Sequence, residues 1–252
     1  MAKGTMTMTG STPLRAVFFD IDDTLFSTTE FAQKARRNAI QSMIDIGLRV
    51  NVDEALQELN EIIREFTSNH AHHFDKLLQR IPATTYEGIN PVLIVAAGVI
   101  GYHQTKYDEL HAFPDAVHAL QALNNTPLLL GVITAGLAIK QAEKLIRLDL
   151  YRYIDPRSIF ISDQIGISKP NPKLFLQACH RSGIRPEETI YVGNDPINDI
   201  DPAHDIGMVT VLIQRAGTSI RSVGNSAPRY RIAAFDELLA ILKDDFAVNV
   251  AS

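Results

Sequence analysis

The stretch Phe18-Phe19-Asp20-Ile21-Asp22-Asp23-Thr24-Leu25 is the point from which the fold of this chain is read. Four apolar residues, Ala16 to Phe19, run straight into an acidic cluster. That is the pattern of a buried strand that delivers carboxylates to the edge of a sheet. In an extended chain, residues two apart point the same way, so Asp20, Asp22 and Thr24 share a face and Asp23 points elsewhere. Two carboxylates and a hydroxyl converging at a strand end suit a hard cation and an anionic substrate. A strand followed by a solvated acidic turn would have the same eight residues, so the rest of the chain must decide.

Working outward, the 252 residues suffice for one large domain or for a core with an insert. Apolar residues make up 46% and charged residues 21%, the balance of a globular protein with a water-facing surface. A net charge of −5, with no run rich in Lys or Arg, gives no support to nucleic-acid or membrane binding. The single cysteine, Cys179, excludes an internal disulfide and a cysteine-based metal site. It lies in an apolar-periodic helical stretch and reads as a buried structural thiol. Met1 to Thr12 lack the apolar segment of a signal peptide and read as a frayed tail. The longest apolar run, Val92 to Ile100, is too short to span a bilayer, so a cytoplasmic location is expected.

After the opening strand, helical signals hold for about eighty residues. Thr28 or Thr29 can cap a helix that runs to Ile46 and stops at Gly47, and Asn51 caps a second, with Val52, Leu56, Leu59, Ile62, Ile63 and Phe66 at helical spacing. A stretch from His70 to Leu78 ends before Pro82, and a last helix runs from Pro91 to Leu110. No strand pattern interrupts this, so residues 27–111 form an all-helical insert. From Pro114 onward strands and helices alternate. Strands are expected at Leu128–Ile133, Ser158–Ile161, Thr189–Gly193 and Val209–Ile213, with a sixth near Tyr230–Ala234. The fold class is therefore α/β, a doubly wound parallel sheet built from residues 12–26 and 112–252, with a small helical domain inserted after the first strand. In such sheets ligands bind beyond the carboxyl ends of the strands. Polar residues gather there after four strands: Asp20, Asp22 and Thr24; Thr134; Lys169; and Asn194, Asp195 and Asp199.

This series resembles the haloacid dehalogenase (HAD) superfamily of phosphohydrolases, and the resemblance runs from Ala16 to the closing helix. Asp20-x-Asp22-x-Thr24, Thr134 after an apolar strand, Lys169-Pro170, and Asp195-x-x-x-Asp199 after Gly193 match its four motifs in order. The resemblance implies a Mg²⁺-dependent phosphatase acting on a small phosphorylated metabolite. Asp20 is then the nucleophile that forms an aspartyl-phosphate, splitting one displacement into two. Asp22 protonates the departing alkoxide and later activates water. Thr24, Thr134, Lys169 and the backbone N–H groups of Ile21 and Ala135 hold the phosphoryl oxygens. Asp20, the carbonyl of Asp22 and the fourth motif hold the metal. Here the chain departs from the commonest pattern, because Asn194 occupies the usual metal-binding aspartate's place. Either Asn194 or Asp195 can be the direct ligand, with Asp199 as the second acidic residue. The helical insert corresponds to that superfamily's cap, expected to close over the substrate.

Competing readings of single residues are solvated loop lysine for Lys169, helix N-cap for Thr134, and helix-start charge for Asp199. His70, His72 and His73 read as a solvated or partly packed cap helix, with contact to a leaving group as their functional alternative. Arg36 and Arg37 read as a surface charge pair, with substrate contact as theirs. A 2-haloacid dehalogenase would lack an acid at position 22, since halide leaves unprotonated. A sugar phosphomutase would share the motifs and differ in shielding the phosphoenzyme from water. A receiver-like phosphoacceptor would have no use for eighty residues of insert. The expected partner is a small phosphate ester, and both monomer and homodimer are compatible with the sequence.

Overall fold

The computed structural model describes residues 13–215 and 222–250; the tail reading for Met1 to Thr12 lies outside them. Strand β1, Ala16–Phe19, is buried at all four positions, as expected for a run without polar alternation. Four helices follow: α1 Thr28–Asp45, α2 Val52–Phe66, α3 His73–Arg80 and α4 Pro91–Glu109. Asn51 caps α2, its Oδ1 accepting from the N–H groups of Asp53 at 2.8 Å and Glu54 at 3.2 Å. Asn90 does the same for α4, accepting from Val92 N at 3.0 Å, with Pro91 in the first helical position. Inside this unit Met43, Leu48, Ile62, Leu77, Leu78 and Ile94 form a core of their own. The chain divides by its contacts into this helical unit, Thr28–Leu110, and a second unit made of Met1–Ser27 with His111–Ser252.

The second unit alternates α5 Pro114–Asn124, β2 Leu129–Thr134, α6 Ala138–Arg147, β3 Ile159–Ile161, α7 Ser162–Ile165, α8 Pro172–Ser182, β4 Thr189–Gly193, α9 Asp201–Asp205, β5 Val209–Ile213, β6 Tyr230–Ile232 and α10 Phe235–Phe246. The six strands form one parallel sheet in the order β3-β2-β1-β4-β5-β6. β1 is central, pairing Phe19 with Val132 on one side and Val192 on the other. The chain builds outward from β1 in one direction and then returns to build in the other. The crevice at that reversal is where doubly wound sheets bind ligands, and Asp20 stands at its mouth. Phe18, Ile133, Phe160, Leu174, Phe175, Cys179 and Tyr191 are among the buried side chains of the core beneath it.

Among the short elements that escaped the sequence reading are α7 and a π-helical turn at Pro196–Ile200. Each is four or five residues long, too short for a 3.6-residue period to register. The N-cap reading of Thr134 is also corrected. Leu137 occupies the cap position of α6, and the N–H of Ala138 is satisfied by Asp163 Oδ2 at 3.0 Å.

Candidate active site

Asp20 continues the ladder of β1 by one residue, its N–H donating to Val192 O at 2.9 Å. The chain then turns at once, with Leu25 N donating to Ile21 O at 3.0 Å. Asp23 takes a left-handed conformation, φ 54°, and is half-buried beside that turn. The carboxylate of Asp20 is therefore anchored by the sheet while the loop beyond it is free to follow a different course.

Lys169 is the hub of the site. Its side chain is 4% exposed, and its Nζ donates to Asp20 Oδ1 at 2.8 Å, Asp199 Oδ1 at 2.7 Å and the Tyr191 hydroxyl at 2.6 Å. These three acceptors use the whole donor capacity of an ammonium. A buried, three-fold bonded lysine is not the solvated loop residue of the competing reading. Burial alone would lower its pKa, but the carboxylates of Asp199 and Asp20 outweigh burial and raise it above the ordinary value. Asp20 is pushed up to about 7, chiefly by burial and further by Asp199 and Asp22, with Lys169 opposing. The Tyr191 hydroxyl donates to Ile133 O at 2.9 Å and so ties the hub to β2. Tyr191 was missed by the sequence reading because one tyrosine inside a buried strand looks like core.

Asp199 faces back toward the strand end. Its Oδ2 accepts from the N–H groups of Asn194 at 3.0 Å and Asp195 at 2.9 Å, so its charge serves those amides as well as Lys169. Gly193 is required by this packing: a Cβ there would lie 2.5 Å from Asp199 Cγ. The two neighbouring candidates behave differently. Asp195 Oδ1 accepts from Ile197 N at 2.9 Å and Asn198 N at 3.1 Å, and Oδ2 accepts from Asn198 Nδ2 at 2.9 Å. Burial opposes it, yet these bonds from Asn198 and Ile197 hold the Asp195 carboxyl below the usual range. Its carboxylate caps the following turn. Asn194 instead turns its amide oxygen to the Thr24 hydroxyl, 3.1 Å away.

Asp22 is held apart from Lys169, by a second lysine. Lys144 Nζ lies 2.5 and 2.7 Å from its two carboxylate oxygens, and Gln141 Nε2 donates to Oδ2 at 3.0 Å. Both come from α6, and the sequence reading singled out neither. Thr134 is fully buried at the end of β2, and its hydroxyl has no partner within the protein. Leaving such a group unmet costs about 1–3 kcal/mol, which calls for a ligand atom there. Extending the β1–β2 register by two places from the Phe19–Val132 pair sets Ile21 level with Thr134, so Ile21 and Ala135 reach the same sheet edge.

The remaining candidates have surroundings of their own. In the helical unit, Arg36 donates to Asn60 at 3.0 Å and Arg37 pairs with Asp53 at 2.6 Å. His70 packs its ring on Phe66, 5.3 Å between centroids, and His72 lies 3.5 Å from Asp75. Cys179 is buried, and burial pushes its thiol up to about 11, leaving it inert at neutral pH. Among the described residues no three His, Cys, Asp or Glu side chains are grouped to hold a metal ion. No described helix is long and apolar enough to cross a membrane.

A central carboxylate thus stands at the switch point of a parallel sheet, bridged through a lysine to a second acid. The sequence model described as haloacid dehalogenase-like hydrolase matches residues 14–207. Over 235 residues the chain is 42% identical to the glyceraldehyde 3-phosphate phosphatase of Methanopyrus kandleri, covering 92% of this chain and 98% of that protein. The glyceraldehyde 3-phosphate phosphatase of Methanocaldococcus jannaschii is 38% identical over 231 residues, with 92% and 98% covered. Among solved structures, a HAD phosphatase from Thermococcus onnurineus superposes with a TM-score of 0.61 at 24% identity, over 91% of this chain and 98% of that one. The chain belongs to the haloacid dehalogenase-like hydrolases. Within that family it falls with the phosphatases, which hydrolyse phosphate monoesters of small metabolites.

Proposed function

We propose that this phosphatase hydrolyses glyceraldehyde 3-phosphate with Mg²⁺, through an aspartyl-phosphate on Asp20. The substrate follows from the relatives that match along nearly their whole length. The observation that carries the mechanism is that two neighbouring carboxylates are held by different cations, Asp20 by Lys169 and Asp22 by Lys144. Two separately held acids can take separate roles in one reaction.

An oxygen of Asp20 attacks phosphorus while the bond from phosphorus to the ester oxygen breaks. The departing oxygen takes the proton of Asp22, and glyceraldehyde leaves as the neutral alcohol. Asp22, now a carboxylate, takes a proton from water as that water attacks the phosphorus of the aspartyl-phosphate. Inorganic phosphate leaves, and both acids return to their starting states. Such proton transfer contributes roughly 10²–10⁴ in rate. The unmet hydroxyl of Thr134, with the N–H groups of Ile21 and Ala135, receives the phosphoryl oxygens, and the positive charge of Lys169 stands beside them. Thr24 orients Asn194.

The donor set fits Mg²⁺. Asp20 and Asp199 bring two negative charges, and Lys169, the lysine that faces both, is already engaged. A phosphate dianion needs a further cation there, and Mg²⁺ rests on few carboxylates with neutral oxygens completing its shell. Asp20, the Asp22 carbonyl and the Asn194 amide oxygen would hold it, supported by Asp199; Asp195 is left to its turn. When bound, Mg²⁺ neutralises the phosphoryl oxygens and draws them toward the nucleophile. The helical unit Thr28–Leu110 is the proposed cap.

Phosphate release from glyceraldehyde 3-phosphate, beside a panel of sugar and nucleotide monophosphates, tests this reading. Release should require Mg²⁺ and vanish in Asp20→Asn. Turnover surviving in Asp20→Asn would remove the nucleophile, and a clear preference for another ester would remove the substrate.

A further inference from the structure

Helix α6 contributes two polar side chains to the site, of which the proposed chemistry uses only the charge of Lys144. Gln141 and Lys144 are three residues apart and so share one helix face. Gln141 is buried, and its two amide hydrogens are divided between Asp22 Oδ2 at 3.0 Å and Ala135 O at 2.6 Å. Lys144 grips both oxygens of Asp22, with side chains only 19% and 29% exposed. Gly136 makes room for the arrangement: its φ is 137°, and a Cβ there would stand 2.6 Å from Gln141 Nε2. The Gly136 N–H is in turn fixed by Ser162 Oγ at 3.0 Å.

We propose that Lys144 and Gln141 are positioning residues for Asp22, a clamp that fixes the plane of its carboxyl and ties it to the phosphate-binding loop. This rests on the reading of Asp22 as the acid. Asp22 lies two residues beyond β1, outside the sheet that holds Asp20, its backbone paired with Phe26 in an isolated bridge. Lys144 sets the carboxyl plane by holding both oxygens. Gln141 selects which oxygen faces the loop and, through Ala135 O, makes the acid and the Thr134–Ala135 phosphate donors move as one body. The ester oxygen is thereby met by the acid at a constant distance from the bound phosphoryl group.

The test compares kcat/KM for two substrates in the Mg²⁺-loaded enzyme: glyceraldehyde 3-phosphate, whose alkoxide needs a proton to leave, and p-nitrophenyl phosphate, whose phenolate does not. Lys144→Met should lower the first about 30- to 100-fold, the scale of a misplaced reacting group, and change the second less than about threefold, because no acid assists it. Lys144→Arg should recover most of the loss, and Lys144→Gln, which keeps a donor, carries the same comparison if Lys144→Met does not fold. Equal loss on both substrates, or loss on neither, overturns the clamp. Asp22→Asn separates the two levels of inference. If it discriminates between the substrates and Lys144→Met does not, the clamp alone fails. If Asp22→Asn itself does not discriminate, the acid assignment fails and takes the clamp with it.

Discussion

Replacing Asp20 by asparagine should make the metal-free protein more stable at alkaline pH while abolishing its activity. The Asp20 carboxyl moves from 3.8 to about 7 on folding, chiefly through burial. A raised carboxyl binds its proton more tightly in the folded than in the unfolded chain. The folded state is therefore undisturbed below about pH 4 and loses stability as pH rises toward 7. Three pKa units at 1.36 kcal/mol each bound the loss at about 4 kcal/mol, of which about 2–3 kcal/mol falls between pH 5 and 8. Asparagine has nearly the same shape and no charge, so it escapes that loss, and Lys169 keeps Asp199 and Tyr191 as acceptors. Thermal melts in chelator should show the variant's advantage over the parent growing by about 5–10 °C from pH 5 to pH 8, at about 2–4 °C per kcal/mol for this size. Added Mg²⁺ should raise the melting temperature of the parent at pH 8 much more than that of the variant. A constant difference across that range would refute the burial of a strained Asp20, and with it the reading that the site stores unfavourable charge for use by the metal and substrate.

Thr134→Val removes a buried hydroxyl with no partner, so it should leave stability unchanged or raise it by up to about 1 kcal/mol. The same substitution should lower kcat/KM about 10- to 100-fold by deleting a phosphoryl donor, and an unchanged kcat/KM would remove Thr134 from the site. Asn194→Ala should weaken Mg²⁺ binding measured by calorimetry at least tenfold, whereas Asp195→Ala should leave Mg²⁺ affinity within about threefold and destabilise its turn by about 1 kcal/mol. The reverse pattern would transfer the ligand role to Asp195. Gly193→Ala places a methyl 2.5 Å from Asp199 Cγ, so denaturant melts should show a loss of about 1–3 kcal/mol, with kcat falling as Asp199 is displaced from Lys169.

What could be read from sequence divides along a physical line. β1, β2 and β4 were legible because buried parallel strands are apolar without alternation, and the residues just beyond them had to lie on one edge. Asp20 and Asp199 follow β1 and β4 and were singled out by that rule, whereas Lys169, in the loop before α8, was singled out through the family resemblance. Lys144 and Gln141 were not, because at helical spacing on an amphipathic helix they look like any solvated face, and their contact with Asp22 spans 122 and 119 positions of sequence. That Asn194 and Asp195 have different partners was closed to the sequence for another reason. The two are adjacent, either is a sound oxygen donor, and only the backbone at Asp195, φ −105° and ψ 116°, turns its carboxylate onto the next turn as a cap.

Asp22 is where fold and chemistry part. The sheet, its strand order and the carboxylate at its centre would serve a dehalogenase as well as a phosphatase, since a fold does not fix a reaction. Halide leaves without a proton, so an enzyme that expels it gains nothing from an acid two residues beyond the nucleophile. This chain has Asp22 at that position and surrounds it with a lysine on both oxygens, a buried glutamine and a glycine in a conformation that admits the glutamine. Burying Gln141 and desolvating Lys144 are unfavourable unless their partner is needed in one place. The expense of holding Asp22 still is thus itself an argument for a leaving group that must be protonated, as the alkoxide of a sugar-like phosphate ester must be.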